Sequence, residues 1–191
     1  NEKNLLDNKR KVIYNGVHNI NERLLMSPEE KFSQLYEEMA TLCEKQGWGD
    51  PFSYARSKEI YAANALGHDV AETFSGADAY RKGQPCEYKS TTDKSCKGSY
   101  TGVSVQSTWE EQVKYLANEK IAPYEHYYNR FEKGRLVESW MVPGDVVHKI
   151  LLPKFEKKYP TVLSKKDPRL SASMSWTEIQ KYGTKVELER R

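Results

Sequence analysis

Apolar and polar positions alternate along this chain in two rhythms, and the switches between them predict its elements. Over residues 27–48, Phe32, Leu35, Tyr36, Met39 and Leu42 recur every three or four positions, the period of a helix with one apolar face. Ser27 stands where an N-cap belongs, Pro28 suits the first turn, and acids follow. A second helix is predicted over about 53–66 and ends at Gly67. Ile60, Ala63 and Leu66 form its apolar stripe, with Glu59 near the edge. The rhythm then shifts to strands. Residues 69–80 predict a strand running to Tyr80, "RKGQ" a tight turn with Gly83 at positive φ, and "PCEYKST" the return strand. A third strand, "SYTGVSVQ", leads into a helix over 107–121, capped by Ser107 or Thr108 with Glu110 and Glu111 in its first turn. A hairpin turning at "EKGR" follows, then a helix from Pro143 that breaks near Pro153, then an extended segment around residues 169–176. The order α, α, β-β-β, α, β-β, α, β predicts an α/β fold, a central mixed sheet flanked by helices, in one domain over 1–191.

Composition narrows the class. Hydrophobic residues make up 38% and charged residues 30% of the 191, enough apolar content for a packed core. No apolar run is long enough to cross a bilayer and the first residues are polar, so neither a membrane partner nor a secretion signal is expected. Cys43, Cys86 and Cys96 are odd in number and lack CxxC spacing, which argues against a disulfide framework or a zinc ribbon and for a reducing, cytoplasmic setting. The four histidines form no metal-binding pattern, and no P-loop, GxGxxG or GxSxG is present. The net charge of +3 says little, but over residues 149–169 seven basic residues face only Glu156 and Asp167.

The predicted hairpin at 75–90, "SGADAYRKGQPCEYKS", carries charges where a buried hairpin would be apolar. Side chains alternate along a strand, so Glu87 and Lys89 share a face while Cys86 and Tyr88 point the other way. The short connection folds Asp78 back beside Glu87. Two carboxylates suit a hard cation such as Mg²⁺, which takes oxygen ligands and retains waters. An adjoining ammonium suits the negative charge that develops on a phosphate under attack.

"GAD" at 76–78 and "EYK" at 87–89 resemble the PD-(D/E)xK signature of the restriction-endonuclease-like nuclease superfamily, with Ala77 in place of the proline. The resemblance covers about residues 53–120. It implies a restriction-endonuclease-like core in which Asp78, Glu87 and Lys89 form a metal-dependent phosphodiesterase site. Glu59, on the helix before the signature, joins the metal shell there. The implied cofactor is Mg²⁺, with Asp78, Glu87 and Glu59 as ligands. The implied activity is that of a type II restriction enzyme, a homodimer that cuts double-stranded DNA to leave 5′-phosphate and 3′-hydroxyl ends. Homing, repair and Holliday-junction nucleases share the core and remain open, as do a non-catalytic DNA-binding module and a protein–protein adaptor.

Candidate DNA contacts lie around this set. Ser90 and Thr91 follow Lys89 with hydroxyls suited to a phosphate oxygen, and Lys94 and Lys97 lie in a polar, glycine-bearing loop. Arg56 and Lys58 flank Glu59. Gln106 has the bidentate chemistry that reads adenine. Gln112 and Tyr115 are similar to the glutamine motif of phage exonucleases, although an exposed helix residue is the simpler expectation for Gln112. Ser171, Ser173 and Ser175 alternate with Leu170, Ala172, Met174 and Trp176, which predicts a strand with one apolar face and one row of short donors.

Overall fold

The computed structural model describes residues 26–72 and 76–188, which divide between Gln46 and Gly47 into two compact units. The first unit contains helix α1 (Pro28–Gln46). Its cap is the one the sequence predicts: the Glu30 amide donates to Ser27 Oγ, and the Ser27 amide donates to the Glu30 carboxylate. Phe32, Leu35, Tyr36, Met39 and Leu42 fall on one helical face and are all exposed.

The second unit is built on a mixed six-stranded sheet. Its elements are α2 (Arg56–Leu66), β1 (Asp69–Val70), β2 (Ala79–Arg81), β3 (Gln84–Thr91), β4 (Gly98–Ser104) and α3 (Trp109–Tyr115) with a π-helical turn (Leu116–Lys120). Then come β5 (Glu125–Glu132), β6 (Arg135–Pro143), α4 (Gly144–Leu163), β7 (Arg169–Met174), α5 (Trp176–Tyr182) and β8 (Thr184–Lys185). The strand order is β1-β2-β3-β5-β6-β8, with β3 and β5 parallel and the other neighbours antiparallel. Both hairpins turn on Lys-Gly. Lys82 and Gly83, and likewise Lys133 and Gly134, all have positive φ, as a two-residue type I′ turn requires. "RKGQ" and "EKGR" thus close Arg81 on Gln84 and Glu132 on Arg135, as the sequence predicts.

Each face of the sheet buries its own core. On one side Ala62 and Ala63 of α2 pack on Ala79, Cys86, Tyr88, Tyr127 and Phe131. On the other, Val147, Leu151, Phe155 and Tyr159 of α4 join Tyr100, Val103, Leu116, Tyr128, Val142, Leu170 and Ile179. Covered on both faces, β3 has buried residues on each side, the mark of a central strand.

Four expectations are revised. The strand over 69–80 resolves into the two short pieces β1 and β2, and residues 73–75 lie outside those described. The third strand leaves the main sheet: β4 pairs only with β7, because β5 takes the place beside β3 and Tyr100 and Val103 of β4 enter the α4-side core. Helix α4 does not break at Pro153 but runs through both Pro153 and Pro160. Burial of Val147, Leu151, Phe155, Tyr159 and Val162 offsets the lost helix hydrogen bonds. Ser175 is not a strand residue. It caps α5, accepting from the Glu178 amide, while Leu170, Ala172 and Met174 are buried beneath the serine row as predicted.

The small sheet has a well-defined free edge. Lys154 Nζ donates to the Ser173 carbonyl at 2.8 Å, and Lys158 Nζ donates to the Ser171 carbonyl at 2.7 Å. Among the described residues no helix is long and apolar enough to cross a membrane.

Candidate active site

The β2–β3 hairpin sets the site. Ala79 pairs with Cys86, so Asp78 comes level with Glu87 at the point where β2 begins. The Asp78 amide donates to the Cys86 carbonyl at 2.9 Å, and its Oδ2 accepts the Tyr88 amide at 2.6 Å. Asp78 therefore spans Glu87, bonded to the residue before it and the residue after it. Glu87 is only 9% exposed, and its Oε1 accepts from Lys89 Nζ at 2.5 Å, two residues along the same face. Glu59 approaches from α2, where its Oε2 accepts from Arg56 Nη1 at 3.3 Å.

These groups feel one another. Burial pushes the Asp78 carboxyl up to about 7, helped by the negative charges of Glu87 and Glu59 and opposed by the Tyr88 amide and the Lys89 charge. Burial also raises Glu59, against the hydrogen bond and charge of Arg56, and Glu87 raises it further. Glu87 takes the opposite direction. Burial favours its neutral form, but Lys89 at contact and Lys120 beyond outweigh that and hold the carboxyl low. Glu59 and Glu87 each hold a cation in contact, Arg56 and Lys89, while Asp78 has no ion pair among the described residues and is driven toward its neutral form. Among the described residues no three His, Cys, Asp or Glu side chains form a metal-binding group. Any cation here would be held by one or two carboxylates and water, the usual mode for Mg²⁺.

The Asp78 shift has a consequence for stability. Its folded pKa lies above that of an unfolded aspartate, so the folded state binds more protons between about pH 4 and pH 7. The stability this gives is complete below pH 4 and is lost as pH rises through 7. Without divalent cations, Asp78→Asn keeps an acceptor for Tyr88 and is expected to be the more stable protein at pH 8 by on the order of 2 kcal/mol. The advantage should vanish near pH 4. Urea unfolding across this range checks it, and parallel curves for the two proteins would contradict it.

A buried polar network that the sequence did not reveal lies under the site. On β5, His126 is the register partner of Glu87 and Tyr128 that of Lys89. His126 Nε2 lies 2.9 Å from the Ile121 carbonyl, which only accepts, so this nitrogen carries the proton. Burial pushes His126 down to about 4, so the ring is neutral and Nδ1 accepts from the Tyr100 hydroxyl at 2.8 Å. The Tyr100 oxygen in turn accepts from Tyr128 Oη at 2.8 Å. Lys89 Nζ stands 4.9 Å from the centre of the Tyr100 ring. Knowledge of the parallel β3–β5 register would have identified His126 and Tyr128, and Tyr100 needs in addition the placement of β4.

The proposed DNA contacts scatter. Ser90 lies on the opposite face from Lys89, paired in register with Asn129, and its Oγ has no partner among the described residues. Thr91 is buried and accepts the Asp93 amide at 3.1 Å, opening the loop. Lys94 is exposed, and so is Lys97, which pairs with Asp93. Gln106 is half-buried. Its amide donates to Gln112 Oε1 at 2.9 Å and its carbonyl accepts from Tyr159 Oη at 2.8 Å. Gln112 itself is fully buried, not an exposed helix residue. Ser173 is exposed on β7 and Ser171 half-exposed, with Ser171 Oγ 3.3 Å from Lys158 Nζ, while Ser175 is committed to its cap. Arg56 is buried and bonded within the fold, and Lys58 lies over the Phe131 ring.

A cleft of about 1050 Å³ lies between α2 and the β6–β8 edge, lined by Tyr61, Leu136, Val137 and Val186 among others, and shares no residue with the acid cluster. No protein-family model matches the chain, and no curated protein sequence is similar to it.

Proposed function

We propose that the protein is a Mg²⁺-dependent DNA endonuclease that hydrolyses phosphodiester bonds in double-stranded DNA, in the manner of a type II restriction enzyme. The observation that carries this reading is the cluster itself: Asp78 at the start of β2, Glu87 and Lys89 on the central strand β3, and Glu59 of α2, with the carboxylates repelling one another near the Lys89 ammonium. Burial and the neighbouring carboxylates perturb Asp78 strongly, and such perturbed groups cluster at functional sites. The element order supports it too. Helix α2, the hairpin β2–β3, a crossover through α3 and the parallel strand β5 follow the order expected of a restriction-endonuclease-like core.

The donor set offers only oxygens, which suits Mg²⁺: Asp78 and Glu87 would hold it, and Glu59 would join through water. When bound, the ion polarises a phosphoryl oxygen and lowers the pKa of its water. The chain supplies the rest. Lys89 offers three N–H donors, one of which Glu87 occupies, leaving two for a non-bridging phosphate oxygen as negative charge builds on it. Glu87 fixes the direction of that ammonium. A water oxygen adds to phosphorus opposite the 3′-oxygen and releases one proton to solvent, the P–O3′ bond breaks, and the 3′-oxygen takes a proton from solvent. The products are a 5′-phosphate and a 3′-hydroxyl.

A second reading treats the Glu87–Lys89 contact as an ordinary buried ion pair in a non-catalytic DNA-binding module. The closeness of that contact favours it. The strongly perturbed Asp78, with no ion pair among the described residues, does not. Incubation with supercoiled plasmid separates the two. The nuclease reading expects nicked and linear DNA with Mg²⁺ and intact plasmid with EDTA. Intact plasmid under both conditions, with the protein bound, leaves the binding module.

A further inference from the structure

Lys89 is held at three points. Its ammonium bonds Glu87 at 2.5 Å, and the same ammonium sits 4.9 Å from the centre of the Tyr100 ring. Its stem runs along the start of β4, where a Cβ added to Gly98 would lie 3.1 Å from Lys89 Cγ and 2.2 Å from the Tyr128 ring. The Tyr128 ring leaves no room for a side chain at position 98, and the lysine stem passes close beside the glycine.

The Tyr100 ring is itself immobile. Its hydroxyl is fixed from both sides by His126 and Tyr128, and His126 is anchored to the Ile121 carbonyl. Tyr100 is 3% exposed. A rigid aromatic face beneath an ammonium attracts it through the ring's negative quadrupole, more strongly where water is excluded. It does so without accepting any of the lysine's protons, so the donors facing outward stay available.

We infer that Tyr100 is a positioning residue for Lys89, a platform that sets where the ammonium meets a phosphate while His126 and Tyr128 hold the platform in place. The inference rests on the nuclease reading for its catalytic consequence and on geometry alone for the contact.

Two measurements on the full chain test it. In ¹³C-lysine-labelled protein, with the Lys89 signal assigned through Lys89→Met, the ε-methylene of Lys89 should resonate upfield of the lysines other than Lys58 and Lys181, which lie over rings of their own, because of the Tyr100 ring current. The shift should persist in Tyr100→Phe, which keeps the ring, and disappear in Tyr100→Leu. Single-turnover plasmid cleavage with Mg²⁺ should fall about 10- to 100-fold in Tyr100→Leu, at unchanged DNA affinity, and be largely restored in Tyr100→Phe. A wild-type Lys89 signal lying with the unshifted lysines overturns the contact, and this needs no variant at position 100 to fold. An upfield signal with cleavage equal in wild type and Tyr100→Leu overturns the positioning role. An upfield signal with no cleavage by the wild-type chain sinks the nuclease reading and the catalytic role with it, while leaving the contact established.

Discussion

Lys89→Ala is expected to lower Mg²⁺-dependent cleavage by about 10²–10³-fold, the usual cost of removing one donor aimed at developing charge. DNA affinity should change little, because one half-buried ammonium adds little to a charged surface. Nor should the fold fail. Glu87 loses its partner, and burial then pushes its carboxyl toward the neutral form, which limits the cost of leaving it unpaired. The expected signature is therefore a fall in cleavage rate at constant Kd and near-constant Tm. A parallel loss of DNA affinity would make Lys89 a binding residue, and unaltered cleavage would remove it from the mechanism.

The largest expected effect on stability belongs to Arg56. The sequence places it beside Glu59 as a candidate phosphate contact, yet the side chain is 1% exposed. Its Nε donates to the Trp48 carbonyl at 2.7 Å, Nη1 to Glu59, and Nη2 to the Ala71 carbonyl. One guanidinium thus ties the start of α2 to the segment before it and to the end of β1, and steadies a site carboxylate as well. Arg56→Ala removes the donors from two carbonyls and Glu59 and opens a cavity, so a loss of about 3–5 kcal/mol is expected in urea unfolding. Arg56→Lys cannot reproduce the planar fork and should recover only part of it. A loss below about 1 kcal/mol would show that solvent reaches these groups after all.

What the sequence could show follows from the range of each interaction. A type I′ turn is decided by two residues, so "RKGQ" and "EKGR" were legible directly. Glu87 and Lys89 sit two apart on one strand, so their shared face follows from the pleat alone. Asp78 needed only the turn to bring it alongside. His126, Tyr100 and Tyr128 are different. Their meeting depends on β5 lying parallel to β3 in one register and on β4 crossing the sheet face, and neither leaves a local pattern. The burial of Arg56 and Gln112 was equally hidden, because each satisfies backbone groups distant in sequence. Pro153 misled for the same reason: a proline predicts a break locally, but the buried face of α4 determined the outcome.

The two lysines on the outer edge of β7 bear on how the molecule behaves in a crowd. An uncovered strand edge invites pairing with strands of other molecules. Lys154 and Lys158 already occupy the carbonyls that such a newcomer would need, and they surround them with positive charge. Acetylation of both amines would take away these two donors and leave the Ser171 and Ser173 carbonyls of the serine-bearing ribbon without them, so these two side chains are the ones whose modification would bear most directly on that edge.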